Sequence, residues 1–367
     1  MPFYVHGLGV ATPPHSISQE EACEIARPHG PSDAEQERQL RALYRLAGVG
    51  RRHSVLLEPA GEAGRASIPF FRPREHADDR GPSTQERLAI YERTAPLLAA
   101  HAGRAALADA GWSPGDVSHV VTVSCTGFAA PNFDVGLIRA LELAPSVERT
   151  HIGFMGCHGA LNGLRVARAC AERAPEAGVL VCAVEICSIH FQYGWNPDWL
   201  VANAIFADGA AAVAGAGRAP GRGTDREPWQ LAGSGAGIVE DSADLMTWKI
   251  GDHGFEMSLS ARVPGVIERQ LRPWLDTWLA GHGLDVSQVA SWALHPGGPR
   301  ILEACVSAIG ITRDETAVSR EVLRTFGNMS SPTVLFILER LRRQGAPRPC
   351  VALGFGPGLA VEAALFR

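Results

Sequence analysis

The sequence lacks the features that would place the protein in a membrane, a secretory pathway or a metal-binding class. No uninterrupted apolar run reaches the roughly 18 residues that a membrane-spanning helix needs. The first residues, Met-Pro-Phe-Tyr-Val-His, have neither the basic region nor the apolar region of a signal peptide. None of the 8 cysteines forms a Cys-x-x-Cys pair, which argues against a zinc ribbon or a redox dithiol. These absences predict a cytoplasmic protein with free thiols.

The chain also lacks an excess of positive charge. Its formal net charge is −5, so no global basic field attracts nucleic acid or an anionic membrane. It is 46% apolar and 20% charged, as is ordinary for a globular protein, and its 367 residues are enough for two or more core-sized units. We therefore expect a soluble enzyme with neither nucleic acid nor membrane as a partner.

Two pairs of similar segments indicate an internal duplication. Residues 116–125 (Asp-Val-Ser-His-Val-Val-Thr-Val-Ser-Cys) resemble residues 285–294 (Asp-Val-Ser-Gln-Val-Ala-Ser-Trp-Ala-Leu), and both segments are typical of a buried strand. Residues 153–158 resemble residues 327–332, and each of these segments opens an apolar-periodic helix. The alternative is that both halves merely use common strand and helix patterns.

The local patterns predict alternating strands and helices, which favours an α/β fold of layered sheets and helices. Ser83 and Glu86 form a capping box at the start of a helix that runs toward Gly111. Four prolines in 57–83 predict a long surface loop, and 216–228 is the best linker candidate. The predicted strands are 118–124, 179–185, 210–215, 289–294 and 350–354.

Three glycine-flanked segments each present one reactive or polar side chain. Cys157 lies in Gly-Phe-Met-Gly-Cys-His-Gly at the expected start of a helix, where the helix dipole and free N–H groups stabilise a thiolate. His295 ends an apolar strand before Pro-Gly-Gly-Pro, and Asn328 lies in Phe-Gly-Asn-Met-Ser-Ser. Taken alone, each has a structural alternative: an inert buried thiol, a structural histidine and a helix N-cap. The three together favour a catalytic site.

A thiol, an imidazole and an amide suit carbon–carbon bond formation better than hydrolysis. Loss of carbon dioxide from a malonyl thioester leaves negative charge on the thioester oxygen, and two neutral or cationic donors aimed at that oxygen lower the barrier. His295 can also pair with Cys157 as an imidazolium–thiolate, which activates the nucleophile. This chemistry needs no metal.

Nearly from end to end, the chain resembles a type III polyketide synthase of the chalcone and stilbene synthase family. The resemblance rests on the three segments above, Glu185, Leu-Val-Ala-Asn-Ala-Ile-Phe206-Ala-Asp-Gly and the closing Gly-Phe-Gly-Pro-Gly. It implies a thiolase fold whose duplicated halves, residues 1–222 with the cysteine and 223–367 with the histidine and asparagine, give a five-layered αβαβα architecture. It further implies a homodimer that uses malonyl-CoA and acyl-CoA as substrates and no other cofactor.

The resemblance also assigns roles to residues. It implies that Cys157 carries the starter and the growing chain as a thioester, and that His295 and Asn328 bind the malonyl carbonyl and stabilise the enolate. Phe206 matches a gatekeeping phenylalanine between the CoA tunnel and the cavity. The loop that shapes the cyclisation chamber matches Gly354, Phe355, Gly356, Pro357 and Gly358.

Several departures from the plant enzymes fall in the expected cavity. Met257 stands at the second gatekeeping position, and Trp248 replaces a small glycine. His190 and Cys125 replace threonines, whereas Ser330 is retained. The chain resembles bacterial members that take fatty acyl or malonyl starters and release resorcinols, pyrones or hydroxylated naphthalenes. We expect an aliphatic acyl starter, few extensions and a pyrone, resorcinol or related aromatic product. The starter, its carrier and the product stay open at this level.

Basic residues for the phosphates of CoA are expected on one helix face. Arg38, Arg41 and Arg45 are three and four residues apart, so they share a face. The family has a basic triad with this spacing in this region, although the alignment must slip by one residue to match it. The alternative is a solvated charged face.

Three other classes of protein compete with this interpretation. A ketoacyl-ACP synthase of the fatty-acid initiation type has Cys, His and Asn on the same fold, but the Phe206 segment and the Gly354–Gly358 loop favour the polyketide synthase. A cysteine hydrolase would need the histidine only as a base. A catalytically silent binding protein is disfavoured because all three chemical residues are present.

Overall fold

A computed structural model describes residues 2–58, 67–76, 78–220 and 228–367. The strands are β1 Phe3–Ala11, β2 Ser16–Ser18, β3 Arg51–His53, β4 Val117–Ser124, β5 Glu148–Gly153, β6 Gly178–Ile186, β7 Asp208–Ala216, β8 Trp229–Ile238, β9 Met246–Gly251, β10 Gly254–Leu259, β11 Ser291–Leu294, β12 Cys350–Gly356 and β13 Ala360–Phe366. The helices are α1 Gln19–Ala26, α2 Ala34–Leu46, α3 Thr84–Ala110, α4 Phe133–Ala140, α5 Gly159–Arg173, α6 Pro197–Ile205, α7 Val263–Ala280, α8 Pro299–Ile309, α9 Ala317–Phe326 and α10 Pro332–Arg343.

The main sheet repeats one topology in its two halves. Its strand order is β11-β12-β13-β8-β1-β7-β6-β4-β5, and β1 pairs with β8 at the centre. In the first half β4 is parallel to β6, and β6-β7-β1 are antiparallel. In the second half β11 is parallel to β12, and β12-β13-β8 are antiparallel. Four strands of the first half therefore match the four of the second half in order and direction, as the predicted duplication requires, and β5 is an additional edge strand beside β4.

Three hydrophobic clusters divide the molecule into five layers. One cluster joins α3 to the outer face of the first half of the sheet, and another joins α7 and α8 to the outer face of the second half. The third contains α5, α10 and inward-facing residues of both halves, so these two helices lie between them. On β6, for example, Leu180 and Cys182 face the α3 cluster while Val179 and Val181 face the central one, which is the period-two alternation of a strand. The α/β, five-layered thiolase architecture is confirmed.

Local signals explain where the principal helices begin and end. Ser83 caps α3 through the predicted capping box, with Ser83 Oγ and Glu86 exchanging bonds, and Gly111 ends the helix at a φ of 66°. Helices α5 and α10 follow the two glycine-containing loops, as the sequence predicts. Within the parts of the chain that the structure describes, no helix is long and apolar enough to cross a membrane.

A row of glycines on β8 receives the aromatic face of α7. A side chain at Gly233, Gly235 or Gly237 would overlap His282, Trp278 or Trp274, respectively. The two indoles stack with their ring centroids 5.8 Å apart and an interplanar angle of 10°. Because these glycines lack side chains, α7 and the residues that follow it can pack closely against β8.

Three expectations need adjustment. The strand predicted at 289–294 begins at Ser291, because Val286–Gln288 forms a 3-10 turn. The segment 57–83 forms no helix or long strand in its described residues, yet it is not all surface, since Phe71 is buried in the α3 cluster. The predicted boundary between 1–222 and 223–367, and most of the linker 216–228, lie outside the described residues.

Candidate active site

The Cys157 loop connects β5 to the central helix α5. Gly156–His158 forms a 3-10 turn that leads directly into α5, so Cys157 stands at the predicted helix start. Gly156 has a φ of 73°, and Phe154 also has a positive φ, of 59°. A side chain at position 156 would overlap the ring of Pro357, which explains the glycine by both conformation and close approach.

Burial opposes ionisation of the Cys157 thiol. Burial raises its pKa to about 11, and hydrogen bonds from Ser330 and Asn328 act in the opposite direction without overcoming burial. Burial likewise lowers the pKa of His295 to about 3. Burial therefore favours the neutral thiol and the neutral imidazole over the predicted thiolate and imidazolium. Among the described residues no hydrogen bond joins Cys157 to a ring nitrogen of His295, and the imidazolium–thiolate pair stays a prediction.

His295 stands at the end of β11 with an unengaged ring. It is 3% exposed, and its backbone N–H donates to Leu353 O on β12 (2.8 Å). Neither ring nitrogen has a hydrogen-bond partner among the described residues. Both nitrogens are therefore available to a substrate, and leaving them without a partner in a buried site is costly.

Asn328 shares a backbone ladder with the predicted gatekeeper. Asn328 N–H donates to Ile205 O (2.8 Å), and Ala207 N–H donates to Asn328 O (2.9 Å), so Phe206 and Asn328 form a parallel bridge. Asn328 Oδ1 accepts from Ser330 N–H (2.8 Å), and the N-cap of α10 is Ser331 rather than Asn328. The amide oxygen is thereby fixed, which turns the amide N–H₂ toward the Cys157 sulfur.

One buried carboxylate links the two halves of the site. Glu185 is fully buried at the end of β6 and accepts from the Ser124 and Thr126 hydroxyls (3.2 and 2.7 Å) and from Cys125 N–H (2.9 Å). Its second oxygen accepts from Ser331 Oγ (2.5 Å), next to the Asn328 loop. Burial raises the pKa of Glu185, while these donors oppose the rise. The carboxylate thus fixes the β4 end against the start of α10.

A cavity of about 410 Å³ opens onto Cys157. It borders on a second and larger cavity of about 790 Å³, and the two share Cys187, Phe206, Trp248 and Met257 in their walls. The walls of the smaller cavity are Cys125, Thr126, Gly156, Cys157, Cys187, Phe206, Met246, Thr247, Trp248, Met257, Ser330 and Pro357. The shared residues form a partition, which is where a gate is expected.

Most of the predicted cavity residues lie in these walls. Trp248 and Met257 are direct cross-strand partners on the β9–β10 hairpin, and Trp248 Nε1 donates to Cys125 O (2.7 Å). Cys125 Sγ lies 3.2 Å from Ser330 Oγ. His190 lines the larger cavity, but Thr126 O and Phe255 N–H engage its two nitrogens (2.7 and 3.0 Å). Burial lowers the pKa of His190 to about 3, so it serves as a neutral, fixed wall.

The Gly354–Gly358 loop packs against the Cys157 loop, but its residues have different surroundings. Pro357 lines the smaller cavity. Gly354 and Gly356 instead lie against His158, where a side chain at position 354 would contact its Cβ and one at position 356 would overlap its ring. Gly358 has a φ of 74° at a turn. Phe355 lies in the core cluster with α7 and α8 rather than in a cavity wall. Its predicted substrate contact is therefore replaced by a packing role.

The three predicted CoA-binding arginines lie on the exposed surface of α2. Arg38 pairs with Glu35 and Arg41 with Glu24, and Arg45 lies in the last turn. They are not among the described residues that line either cavity. The helix is confirmed, and phosphate binding stays a prediction.

Several residues that line the smaller cavity were not predicted from the sequence. Cys187 and Thr126 line the smaller cavity beside Cys125, and Met246 and Thr247 enter it from β9. A cue was available for Cys187, since it follows the buried strand that ends at Glu185 and Ile186. Among the described residues, no group of three or more His, Cys, Asp or Glu side chains is arranged to hold a metal ion.

Comparison with known proteins decides the family. The model of the chalcone and stilbene synthase N-terminal domain matches residues 3–218, and that of the C-terminal domain matches residues 230–367. The chain belongs to the chalcone and stilbene synthase family. It is thus a type III polyketide synthase, an acyltransferase.

Relatives of this type III polyketide synthase come from several kingdoms. The alpha-pyrone synthesis polyketide synthase-like protein Pks18 of Mycobacterium tuberculosis is 30% identical over 99% of this chain and 90% of its own length. The 3,5-dihydroxyphenylacetyl-CoA synthase of Amycolatopsis balhimycina is 30% identical over 98% of this chain and 92% of its own. The crystal structure of PKS-I from the brown alga Ectocarpus siliculosus superposes with a TM-score of 0.92 at 31% identity, covering 100% of this chain and 98% of the other. The ketoacyl-ACP synthase alternative is not favoured.

Proposed function

We propose that the enzyme loads an aliphatic acyl-CoA starter onto Cys157 and extends it by decarboxylative condensation with malonyl-CoA. The observation that carries the proposal is an amide at the thiol together with a buried imidazole near the Cys157 loop. The Asn328 amide faces the sulfur, and neither ring nitrogen of His295 has a partner among the described residues. In an apolar cavity such donors strongly stabilise the oxygen that gains charge when malonyl-CoA loses carbon dioxide.

The loading step begins with a neutral pair. His295 accepts the proton of the Cys157 thiol as the sulfur attacks the acyl thioester, so charge separation occurs only during the reaction. The CoA thiolate leaves and takes up the proton. Malonyl-CoA then loses carbon dioxide, the enolate carbon attacks the Cys157 thioester, and the cysteine thiolate departs, which leaves the extended chain on CoA. Before each further extension the Cys157 thiolate attacks the new CoA thioester and the CoA thiolate leaves, so the chain returns to Cys157. After few extensions the chain cyclises to a pyrone, a resorcinol or a related aromatic. We propose no cofactor beyond the CoA thioesters.

The larger cavity supports an aliphatic starter. Its walls are largely apolar and include Ile17, Ile25, Ile68 and Ala202 beyond the Phe206–Trp248–Met257 partition. An alkyl chain gains about 0.8 kcal/mol for each methylene group that it buries there. Met257 adapts to such a chain more readily than a rigid ring would.

An assay with malonyl-CoA and acyl-CoA starters of graded length tests the proposal, with products identified by mass spectrometry. We expect medium or long saturated starters to be preferred over coumaroyl-CoA. Ala202→Leu should narrow the larger cavity and shift the preference to shorter chains. Val201→Leu, on the same helix and outside the cavity walls, is the matched control. Preference for an aromatic starter would contradict the proposal.

We propose that Arg38, Arg41 and Arg45 contact the phosphates of CoA at the surface. Replacing all three with alanine should raise KM for acyl-CoA. The same variant should keep its rate with acyl thioesters of N-acetylcysteamine, which lack phosphates. An equal loss with both substrates would assign the arginines to structure instead.

We propose a homodimer in which β5 contributes to the interface. β5 is the last strand in the sheet order, and its residues are nearly all exposed. Met155, two residues after its end, is 38% exposed, and Phe128, whose ring contacts Phe154, is 45% exposed. Exposed apolar residues beside a free sheet edge are typical of an association surface. Light scattering on the purified protein tests this, and a monomer at all concentrations would refute it.

A further inference from the structure

One histidine in the walls of the larger cavity makes no hydrogen bond. His29 ends the short 3-10 turn that follows α1, lines that cavity and is 3% exposed. Its Nδ1 is buried without a hydrogen-bond partner among the described residues, and its Nε2 makes no hydrogen bond to them either. Leaving the polar atoms of a buried imidazole unpaired is costly, so we expect a partner from outside the chain.

The other polar side chains of these walls are engaged within the protein. Each remaining imidazole, guanidinium, hydroxyl and amide group there makes at least one hydrogen bond to a described residue, and these groups belong to Tyr44, Arg52, His53, Ser54, Ser188, His190, Gln192 and Asn203. Single atoms of two of them, Arg52 Nε and Gln192 Oε1, are also buried without a partner, but both side chains are held by their other atoms. Among the described wall residues, His29 is therefore the imidazole whose two nitrogens are both open to a ligand.

Packing holds the imidazole of His29 in one place. Its ring centroid lies 4.6 Å from that of Tyr193 and 5.5 Å from that of Phe191, where the contact is edge-on. The backbone is fixed as well, because Gly194 N–H donates to His29 O (2.8 Å). A polar group that is fixed before its ligand arrives loses little conformational freedom on binding.

The charge of His29 indicates which ligand group it can bind. Burial lowers the pKa of His29 to about 4, so near neutral pH the ring is uncharged, with one nitrogen as donor and the other as acceptor. A hydroxyl both donates and accepts, so it satisfies whichever nitrogen faces it. A carboxylate only accepts, and the charge of Asp79, which acts on His29, would repel a second negative group. A hydroxyl group is therefore the better match.

His29 lies on the other side of the partition from the nucleophile. Cys157 lines the smaller cavity, whereas His29 lines only the larger one, together with the apolar Ile25 of α1. An acyl chain held on Cys157 must therefore pass the partition before it reaches the imidazole. Only carbons far from the thioester can bring a substituent to His29.

We propose that His29 is a specificity-determining residue that forms a hydrogen bond with a hydroxyl group on the distal part of an aliphatic starter. The inference rests on the proposed function, because it requires the starter chain to occupy the larger cavity. The enzyme then prefers a hydroxyacyl-CoA to the unsubstituted acyl-CoA of the same length, since the hydroxyl pairs with a group that otherwise stays unpaired.

The test measures kcat/KM for saturated acyl-CoA starters and for matched starters that carry one hydroxyl at successive carbons. A hydroxyl near the thioester should lower kcat/KM, because it loses water without gaining a partner. A hydroxyl at one of the distal carbons should raise kcat/KM by about fivefold or more. In His29→Phe an aromatic ring remains and both nitrogens are lost, so we expect the same distal hydroxyl to lower kcat/KM relative to the unsubstituted chain.

Tyr193→Phe is the matched control. It removes a hydroxyl beside the His29 ring, one that donates to Arg72 O (2.6 Å), and it leaves both imidazole nitrogens in place. This variant should keep the wild-type preference for the distal hydroxyl. If His29→Phe does not fold, His29→Leu removes the same two nitrogens with a flexible side chain and takes its place.

Two outcomes would overturn the proposal. If no hydroxylated starter exceeds its unsubstituted counterpart in the wild type, a bound water satisfies His29 and the residue does not select the starter. If the distal preference survives in His29→Phe, another wall group, such as Gln192 Oε1, holds the hydroxyl.

A binding measurement separates this inference from the proposed function. S-alkyl-CoA thioethers cannot acylate Cys157, and calorimetry gives their Kd with and without the distal hydroxyl. If no aliphatic acyl-CoA loads the wild-type enzyme, the proposed function is wrong, whereas tighter binding of the hydroxylated thioether that is lost in His29→Phe still supports the role of His29. Equal Kd values for the two thioethers in the wild type would refute that role.

Discussion

The loop that carries Cys157 and the loop that carries Asn328 occupy equivalent places in the two halves of the molecule. Each precedes a central helix, α5 or α10, and each contains one glycine and one other residue with positive φ: Gly156 with Phe154, and Gly327 with Ser330. Their chemistry differs, because one presents a thiol and the other an amide. The proposed reaction is thus divided between two equivalent, strained loops of a repeated scaffold.

The supports of the two loops differ as well. The Cys157 loop packs against Pro357 and the glycines of β12, which belong to the other half of the chain. The Asn328 loop is bonded through its backbone to Ile205 and Ala207, which belong to the first half. Each loop is therefore held by the opposite half, and neither half contains a complete site.

The largest expected effect distinguishes the role of Cys157 from the roles of His295 and Asn328. Cys157→Ala should abolish condensation and leave some malonyl-CoA decarboxylation, because His295 and Asn328 remain. Product analysis and release of carbon dioxide from labelled malonyl-CoA measure the two activities. Chain elongation at a near-normal rate in this variant would remove Cys157 from the mechanism.

The next effect compares the two donors. His295→Ala and Asn328→Ala should each slow decarboxylation by roughly 2–4 kcal/mol in barrier height, since each removes one donor to the developing oxyanion. Starter loading should suffer more from the histidine change, because only the imidazole can accept the thiol proton. Equal loading defects in the two variants would contradict this division of roles.

A smaller effect compares the two glycines. Gly156→Ala adds an overlap with Pro357 to the cost of a positive φ, whereas at Gly327 the added methyl meets Ala207 and Ile205 at 3.0 Å. We expect both to lower the free energy of unfolding by about 1–3 kcal/mol, with the larger loss at position 156. Denaturant titration measures this.

Two further variants make the glycine comparison sharper. Gly111→Ala has a φ of 66° and open space around it, so it measures the conformational cost alone. Pro357→Ala should recover part of the loss in Gly156→Ala and none in Gly327→Ala. Recovery in both would show that the overlap is not what distinguishes the loops.

The smallest expected change concerns the product. Trp248 lies in the partition between the two cavities, and its replacement by glycine removes a bulky ring and the bond to Cys125 O. Trp248→Gly should shift the products toward longer polyketides or longer starters, as read by mass spectrometry. An unchanged product profile in a well-folded variant would leave control of chain length to other wall residues.

The sequence predicted what depends on local pattern. Capping predicted α3 at nearly its observed bounds, and apolar periodicity predicted where α5 and α10 begin. The glycine-flanked motifs placed Cys157, His295 and Asn328 at loop positions beside buried elements. Such features follow from a few neighbouring residues.

Other properties depend on tertiary surroundings and could not be found this way. A helix start favours a thiolate, yet residues distant in sequence enclose Cys157 and raise the pKa of its thiol. The alternation along β12 directs Phe355 into the core while its glycine neighbours face His158, and the motif alone does not reveal which face is which. The hydrogen bonds that run from His158 through Asn162 to Glu362 on β13 join residues 204 positions apart in a chain of 367.

The bridge between Phe206 and Asn328 has a consequence for anyone who wishes to engineer this enzyme. Backbone atoms of Ile205 and Ala207, on either side of Phe206, make the hydrogen bonds to Asn328. Replacing the side chain at position 206 therefore leaves these bonds in place. Substitutions there should tune admission of substrates independently of turnover. Inserting or deleting a residue between α6 and β7 would instead slide the register and displace the amide. Libraries that vary side chains at fixed length are therefore the productive route at this wall.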